Sequence, residues 1–119
     1  MSDFTDAWNR VAEAVHNTAR EKGFWDGEPR NHMGHMSLRN NAELIALAHS
    51  ELSEALEALR HGNPPDDKVS EFKGVEAELA DCIIRIMDMA AGRGWRVAEA
   101  LEAKMEFNKG RKPKHGKQF

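Results

Sequence analysis

The sequence predicts an all-α domain, and three observations predict it. Apolar residues recur at helical spacing in four separate stretches. Glycine and proline cluster between those stretches. No segment alternates apolar and polar residues as a half-buried strand does. Phe4, Trp8, Val11, Val15 and Ala19 form one stripe on a first helix over about residues 3–22, which Gly23 ends. Residues 24–36 contain Gly27, Pro29 and Gly34 without a period, and read as a loop. A second helix starts near Leu38 or Asn41 and runs to Arg60, where His61-Gly62-Asn63-Pro64-Pro65 stops it. A third starts near Asp67 or Ser70, with Gly74 weakening its first turns, and ends at Gly92 and Gly94. A fourth covers about residues 95–109. The tail over 110–119 is basic, through Arg111, Lys112, Lys114 and Lys117, and its glycines and proline oppose further helix.

At 119 residues the chain is a single domain over 1–119, small enough to gain stability by assembling with copies of itself. A net charge of −3 lacks the basic excess of a duplex-binding protein, so no nucleic acid duplex is expected as a partner. The apolar runs are too short to span a membrane. The opening Met-Ser-Asp-Phe-Thr-Asp carries no basic-then-apolar export signal, so a cytoplasmic location is expected. Cys82, the only cysteine, has no intrachain partner and lies on an apolar helix face, as a packed thiol does.

Two phrases concentrate chemistry: Glu51-Leu52-Ser53-Glu54 and Glu78-Leu79-Ala80-Asp81. With Glu51 at zero on the second helix, Leu44, Ala55, Ala48, Leu59, Leu52, Ile45 and Leu56 fall between about 20° and 140°, and Glu54 lies near 300°. With Glu78 at zero on the third helix, Met89, Cys82, Val75, Ile86, Leu79, Phe72, Ala90 and Ile83 fill the same arc, and Asp81 lies near 300°. Packed antiparallel, the two helices can bring both acid pairs to one cleft. A solvated acidic face is the alternative. Two carboxylates about 4 Å apart repel by roughly 1 kcal/mol in water and about 4 kcal/mol when partly buried, a cost that a divalent cation removes. An all-oxygen set suits magnesium, with manganese as a substitute, better than zinc. A di-iron bundle needs two Glu-x-x-His motifs, and only Glu13-Ala14-Val15-His16 has that form.

The ordered set of motifs resembles the MazG-like all-α nucleoside triphosphate pyrophosphohydrolases. The resemblance runs through Lys22-Gly23-Phe24-Trp25-Asp26, the segments around both acid pairs, Lys104 to Asn108, Arg111 and Lys114-His115-Gly116-Lys117. It implies a four-helix bundle completed by oligomerisation, a homodimer or homotetramer. It implies that Glu51, Glu54, Glu78 and Asp81 hold Mg2+ against a nucleoside triphosphate. A water activated by the metal would then release a monophosphate and pyrophosphate, a reaction suited to nucleotide-pool sanitation. Some family members carry a further glutamate just before the first acid motif. Here Ser50 stands there, so no general base is assigned, with Glu43 a candidate. That departure keeps a second reading open, a catalytically weak nucleotide-binding module.

Lys104, Asn108 and Arg111, spaced i, i+4 and i+7, share a face if the fourth helix continues that far. Such a face suits phosphate oxygens, and a solvated helix end is the alternative; the resemblance tips the balance toward substrate. Trp25 and Phe24 precede the second helix, where a ring can stack on a nucleobase or pack in the core; Trp25 is the stronger candidate for the base. Arg85, one turn beyond the second pair, can pair with a ligand acid or reach a phosphate.

Overall fold

The computed structural model describes residues 2–27 and 39–119. Most of the loop expected over 24–36, including His32 and His35, lies outside the described residues. Four helices are present among the described residues: α1 (Asp3–Glu21), α2 (Asn41–Arg60), α3 (Gly74–Arg93) and α4 (Val97–Lys109). A short 3-10 turn, Pro113–Gly116, follows in the tail; Lys114 and His115 adopt positive φ there, so the tail does not extend α4.

Local chemistry sets the helix ends. The Ser2 hydroxyl accepts from the Thr5 amide at 3.0 Å, and the Asn40 side chain accepts from the Glu43 amide at 3.2 Å, satisfying donors that a helix start leaves open. Gly94 closes α3 in the left-handed region at φ 72°. At the N-terminus of α3 the structure departs from the expected start near Asp67 or Ser70. Asp66 Oδ2 accepts from the amides of Lys68 and Val69, both at 2.9 Å, and the Asp66 amide donates to Phe72 O at 2.8 Å. This aspartate turn captures the amides that a helix would have used. The helix begins only at Gly74, with the Glu76 carboxylate accepting from the Lys73 amide at 2.9 Å.

α2 and α3 pack antiparallel and α1 lies across α3, while α4 packs chiefly on α1. Ala58 meets Gly74, Glu51 meets Arg85, and Asn41 meets Arg93, so residue numbers rise on one helix as they fall on the other. The register is pinned at the turn. Asn63 Oδ1 accepts from the Val75 amide at 2.9 Å, and the Gly74 amide donates to Pro64 O at 2.8 Å. A Cβ on Gly74 would sit 2.9 Å from Ala58 Cβ, so this crossing requires glycine.

Trp25, Leu44, Ala48, Cys82 and Met89 form the core, with Ala19 and Ile86 against it. The expected apolar stripes are only half used. On α2, Leu44, Ala48 and Ala55 are buried, whereas Ile45, Leu52, Leu56 and Leu59 are exposed. On α3, Cys82, Met89 and Ala90 are buried, whereas Leu79 and Ile83 are exposed. Apart from Ala90, the buried residues sit at the near edge of each arc, between about 20° and 60°, and the exposed ones between about 80° and 140°. Among the described residues, the far part of the α2 and α3 stripes is therefore left exposed.

Candidate metal centre

The α2–α3 register brings the two acid pairs together. Glu51, Glu78 and Asp81 each place a carboxylate oxygen so that all three lie within 4.8 Å of one another. Glu54, one turn beyond Glu51 and exposed, is outside that cluster but lines the same cavity of about 620 Å³. The four acids thus share one cleft, three of them in ligand-like convergence.

The electrostatics follow from the crowding. Burial raises the Glu78 carboxyl above the usual carboxylate range, and the charges of Asp81 and Glu51 raise it further. Partial desolvation also raises Asp81, which is exposed overall, with Glu51 adding to the effect, while Lys68 and Arg85 oppose it. Arg85 Nε donates to Glu51 Oε2 at 2.8 Å. Carboxyls raised in this way are short of positive charge, which is what a divalent cation supplies.

Around the acids the cavity has a basic and partly apolar rim that includes Lys22, Phe24, Arg39, Lys68 and Arg85. Lys68 comes from the aspartate turn before α3. Its contribution was invisible in the sequence because that stretch reads as the start of a helix. Asp88 also lines the cavity; it lies two turns beyond Asp81, and that i, i+7 spacing was the available signal.

Several expected site residues stand elsewhere. Trp25 is only 8% exposed. Its Nε1 donates to both Asp88 oxygens, at 3.0 and 3.2 Å, and the His16 ring meets it edge-on at 5.0 Å. Two guanidinium groups, of Arg39 and Arg93, lie 4.7 and 5.3 Å from its ring centre. Trp25 is therefore a core anchor rather than a stacking platform. Its neighbour Phe24, 61% exposed, is the aromatic that lines the cavity. Lys104, Asn108 and Arg111 are exposed and do not line the cavity of their own chain. Arg111 also falls out of helical register, because α4 ends at Lys109; it rests 5.5 Å over the Phe107 ring. Glu43 lies in the first turn of α2 and does not line the cavity. Ser50 Oγ donates to Leu47 O at 2.6 Å, as helical serines do, and offers no base.

Compared with models of known families, with curated proteins and with solved structures, the chain finds no match.

Proposed function

We propose that the chain is a divalent-metal-dependent nucleoside triphosphate pyrophosphohydrolase of the MazG-like kind, acting as a homodimer or homotetramer. The observation that carries the reading is the convergence of Glu51, Glu78 and Asp81 in a cavity that Glu54 shares and that cations surround. The donor set fits the metal: three oxygens from hard ligands, two of them on carboxyls that burial and mutual repulsion have raised. Magnesium or manganese held there by Glu51, Glu78 and Asp81, with Glu54 beside them, would neutralise the polyphosphate and make water a better nucleophile.

The chain's own residues divide the remaining work. An acidic centre with a basic rim suits a metal–polyphosphate complex, whose charge changes sign from cation to phosphate tail. The cavity volume falls within the range of small-molecule sites. Phe24 presents an exposed ring for the base. The exposed apolar face of α2 and α3 supports assembly, since contiguous patches of this kind mark interaction surfaces. Removal of damaged or surplus nucleotides would be the physiological purpose.

Incubation with a panel of ribo- and deoxynucleoside triphosphates and magnesium tests the reaction. Monophosphate with pyrophosphate is expected. Diphosphate with orthophosphate would place cleavage at the other anhydride and overturn the assignment. The hydrogen bond that commits Ser50 to the backbone favours one rival, a nucleotide-binding module without turnover. Magnesium-dependent nucleotide binding with no product would establish that rival instead.

A further inference from the structure

Resting on that metal-site reading, we propose that Arg85 and Lys68 are the phosphate-contacting cations of this cavity, and that Arg85 takes up its role by exchanging Glu51 for phosphate when the metal binds.

Arg85 engages Glu51 through Nε alone, and its two terminal amino groups have no hydrogen-bond partner among the described residues. A guanidinium paired with a carboxylate frequently presents its two-pronged edge to it. Here much of that donor capacity is unused on a residue that lines the cavity. The side chain is 37% exposed, against 13% for Glu51, so the carboxylate is sheltered and the guanidinium faces the opening. Glu51 belongs to the convergent acid cluster as well as to this pair. A divalent ion and a guanidinium on one carboxylate repel each other unless an anion joins them, and a phosphate chain is such an anion. Arg85 is thus the resident countercharge of the metal-free site and a two-oxygen phosphate ligand in the loaded one.

Lys68 supplies a second positive charge from a separate element. Its backbone is fixed by the Asp66 turn, which is closed by the Asp66–Phe72 hydrogen bond. Its side chain lines the cavity and has no ion-pair partner among the described residues. Lys68 and Arg85 both line the cavity that holds the acids, and the charge of each opposes the rise of the Asp81 carboxyl. Their placement gives the chain phosphate contacts of its own, where Lys104, Asn108 and Arg111 do not reach.

The test uses the full chain, Mn2+ and inorganic triphosphate. Mn2+ binding is followed by electron paramagnetic resonance, and triphosphate binding to the manganese-loaded protein by calorimetry; circular dichroism verifies folding of each variant. Arg85→Gln should bind Mn2+ as tightly as the wild type or more tightly, because the competing cation is gone. Its affinity for triphosphate should fall about 10- to 100-fold, the range for hydrogen bonds to charged groups. Arg85→Lys should recover only part of that loss, since a point charge replaces a fork. Lys68→Met should weaken triphosphate and leave Mn2+ unchanged. A parallel loss of Mn2+ and triphosphate in Arg85→Gln would mean that Arg85 only positions Glu51, and would overturn the proposal. So would triphosphate binding that neither variant alters. A wild-type protein that binds Mn2+ but not triphosphate removes the phosphate assignment alone; one that binds no Mn2+ removes the metal centre beneath it.

Discussion

At the scale of single residues the acid cluster makes a prediction about pH. Glu78 and Asp81 are raised, mainly by burial and then by neighbouring carboxylates. In that range the native state holds more protons than the unfolded chain, so stability falls as pH rises through the raised values. The metal-free protein should therefore lose stability through these groups as pH rises from the ordinary carboxylate range through their raised values. Asp66 and Glu102 are lowered by hydrogen bonds they accept, and their stabilisation fades only below the ordinary carboxylate range. Comparison with Glu78→Gln isolates the contribution. The substitution should flatten the profile and raise metal-free stability at pH 7.5 by about 1 kcal/mol, the repulsion of close carboxylates in water. Saturating magnesium should stabilise the wild type and do little for the variant. Thermal melts across pH, with and without magnesium, measure all of this; an unchanged profile in Glu78→Gln would remove the crowding from the account. Catalysis at the same scale is tested by Asp81→Asn, expected to abolish turnover with the helices intact. Phe24→Ala is expected to raise KM about 5- to 100-fold if its ring stacks on the base.

At the scale of elements, close helix packing sets the geometry of the site, and glycine permits it twice. Gly74 admits Ala58 at the α2–α3 crossing, and Gly92 admits the Trp25 ring on α3. A Cβ at Gly92 would lie 2.7 Å from Trp25 Cη2 and 3.0 Å from His16 Cε1. Helix propensity alone would reward Gly92→Ala by about 1 kcal/mol. Steric insertion into a packed ring commonly costs about 1–3 kcal/mol, and this ring is held by Asp88. The variant should be less stable by up to about 2 kcal/mol, the difference of the two effects; urea unfolding decides, and stabilisation would show that Trp25 yields. The same residues show what the sequence could convey. The number and order of helices follow from local periodicity, and so does the common margin shared by Glu51, Glu54, Glu78 and Asp81, because a wheel needs only spacing. The late start of α3 was hidden, since it depends on Asp66 capturing two amides. The burial of Trp25 was hidden as well, because an aromatic in a loop can face either way until Asp88, Arg39 and Arg93 enclose it.

At the scale of the whole molecule the divided stripes are the main consequence of the fold. Helical spacing identifies a wide apolar face on α2 and on α3 but cannot say how much of it one chain covers. In the structure the near half is buried, and Ile45, Leu52, Leu56, Leu59, Leu79 and Ile83 remain exposed. A second copy of the hairpin would cover them, as the proposed homo-oligomer requires, and light scattering after size exclusion should find a dimer or tetramer. Leu56→Glu places a charge in the centre of that face and should yield monomers with unchanged helix content. A monomeric wild type would show that the face serves something else. Assembly also bears on Lys104, Asn108 and Arg111, which do not line the cavity of their own chain. If they serve the cavity of a neighbouring copy, two different defects should complement one another. Asp81→Asn removes an acid from a chain's own cavity, and Lys104→Ala removes a cation that the chain lends to its partner. A mixed dimer then contains one site with both defects and one with neither. Co-refolded at equal amounts, the two inactive proteins should recover about a quarter of wild-type activity, since half the dimers are mixed and half their sites intact. If Lys104 acts only within its own chain, every site in the mixture keeps one defect and no activity returns. Full activity in Lys104→Ala alone would instead place α4 outside the chemistry.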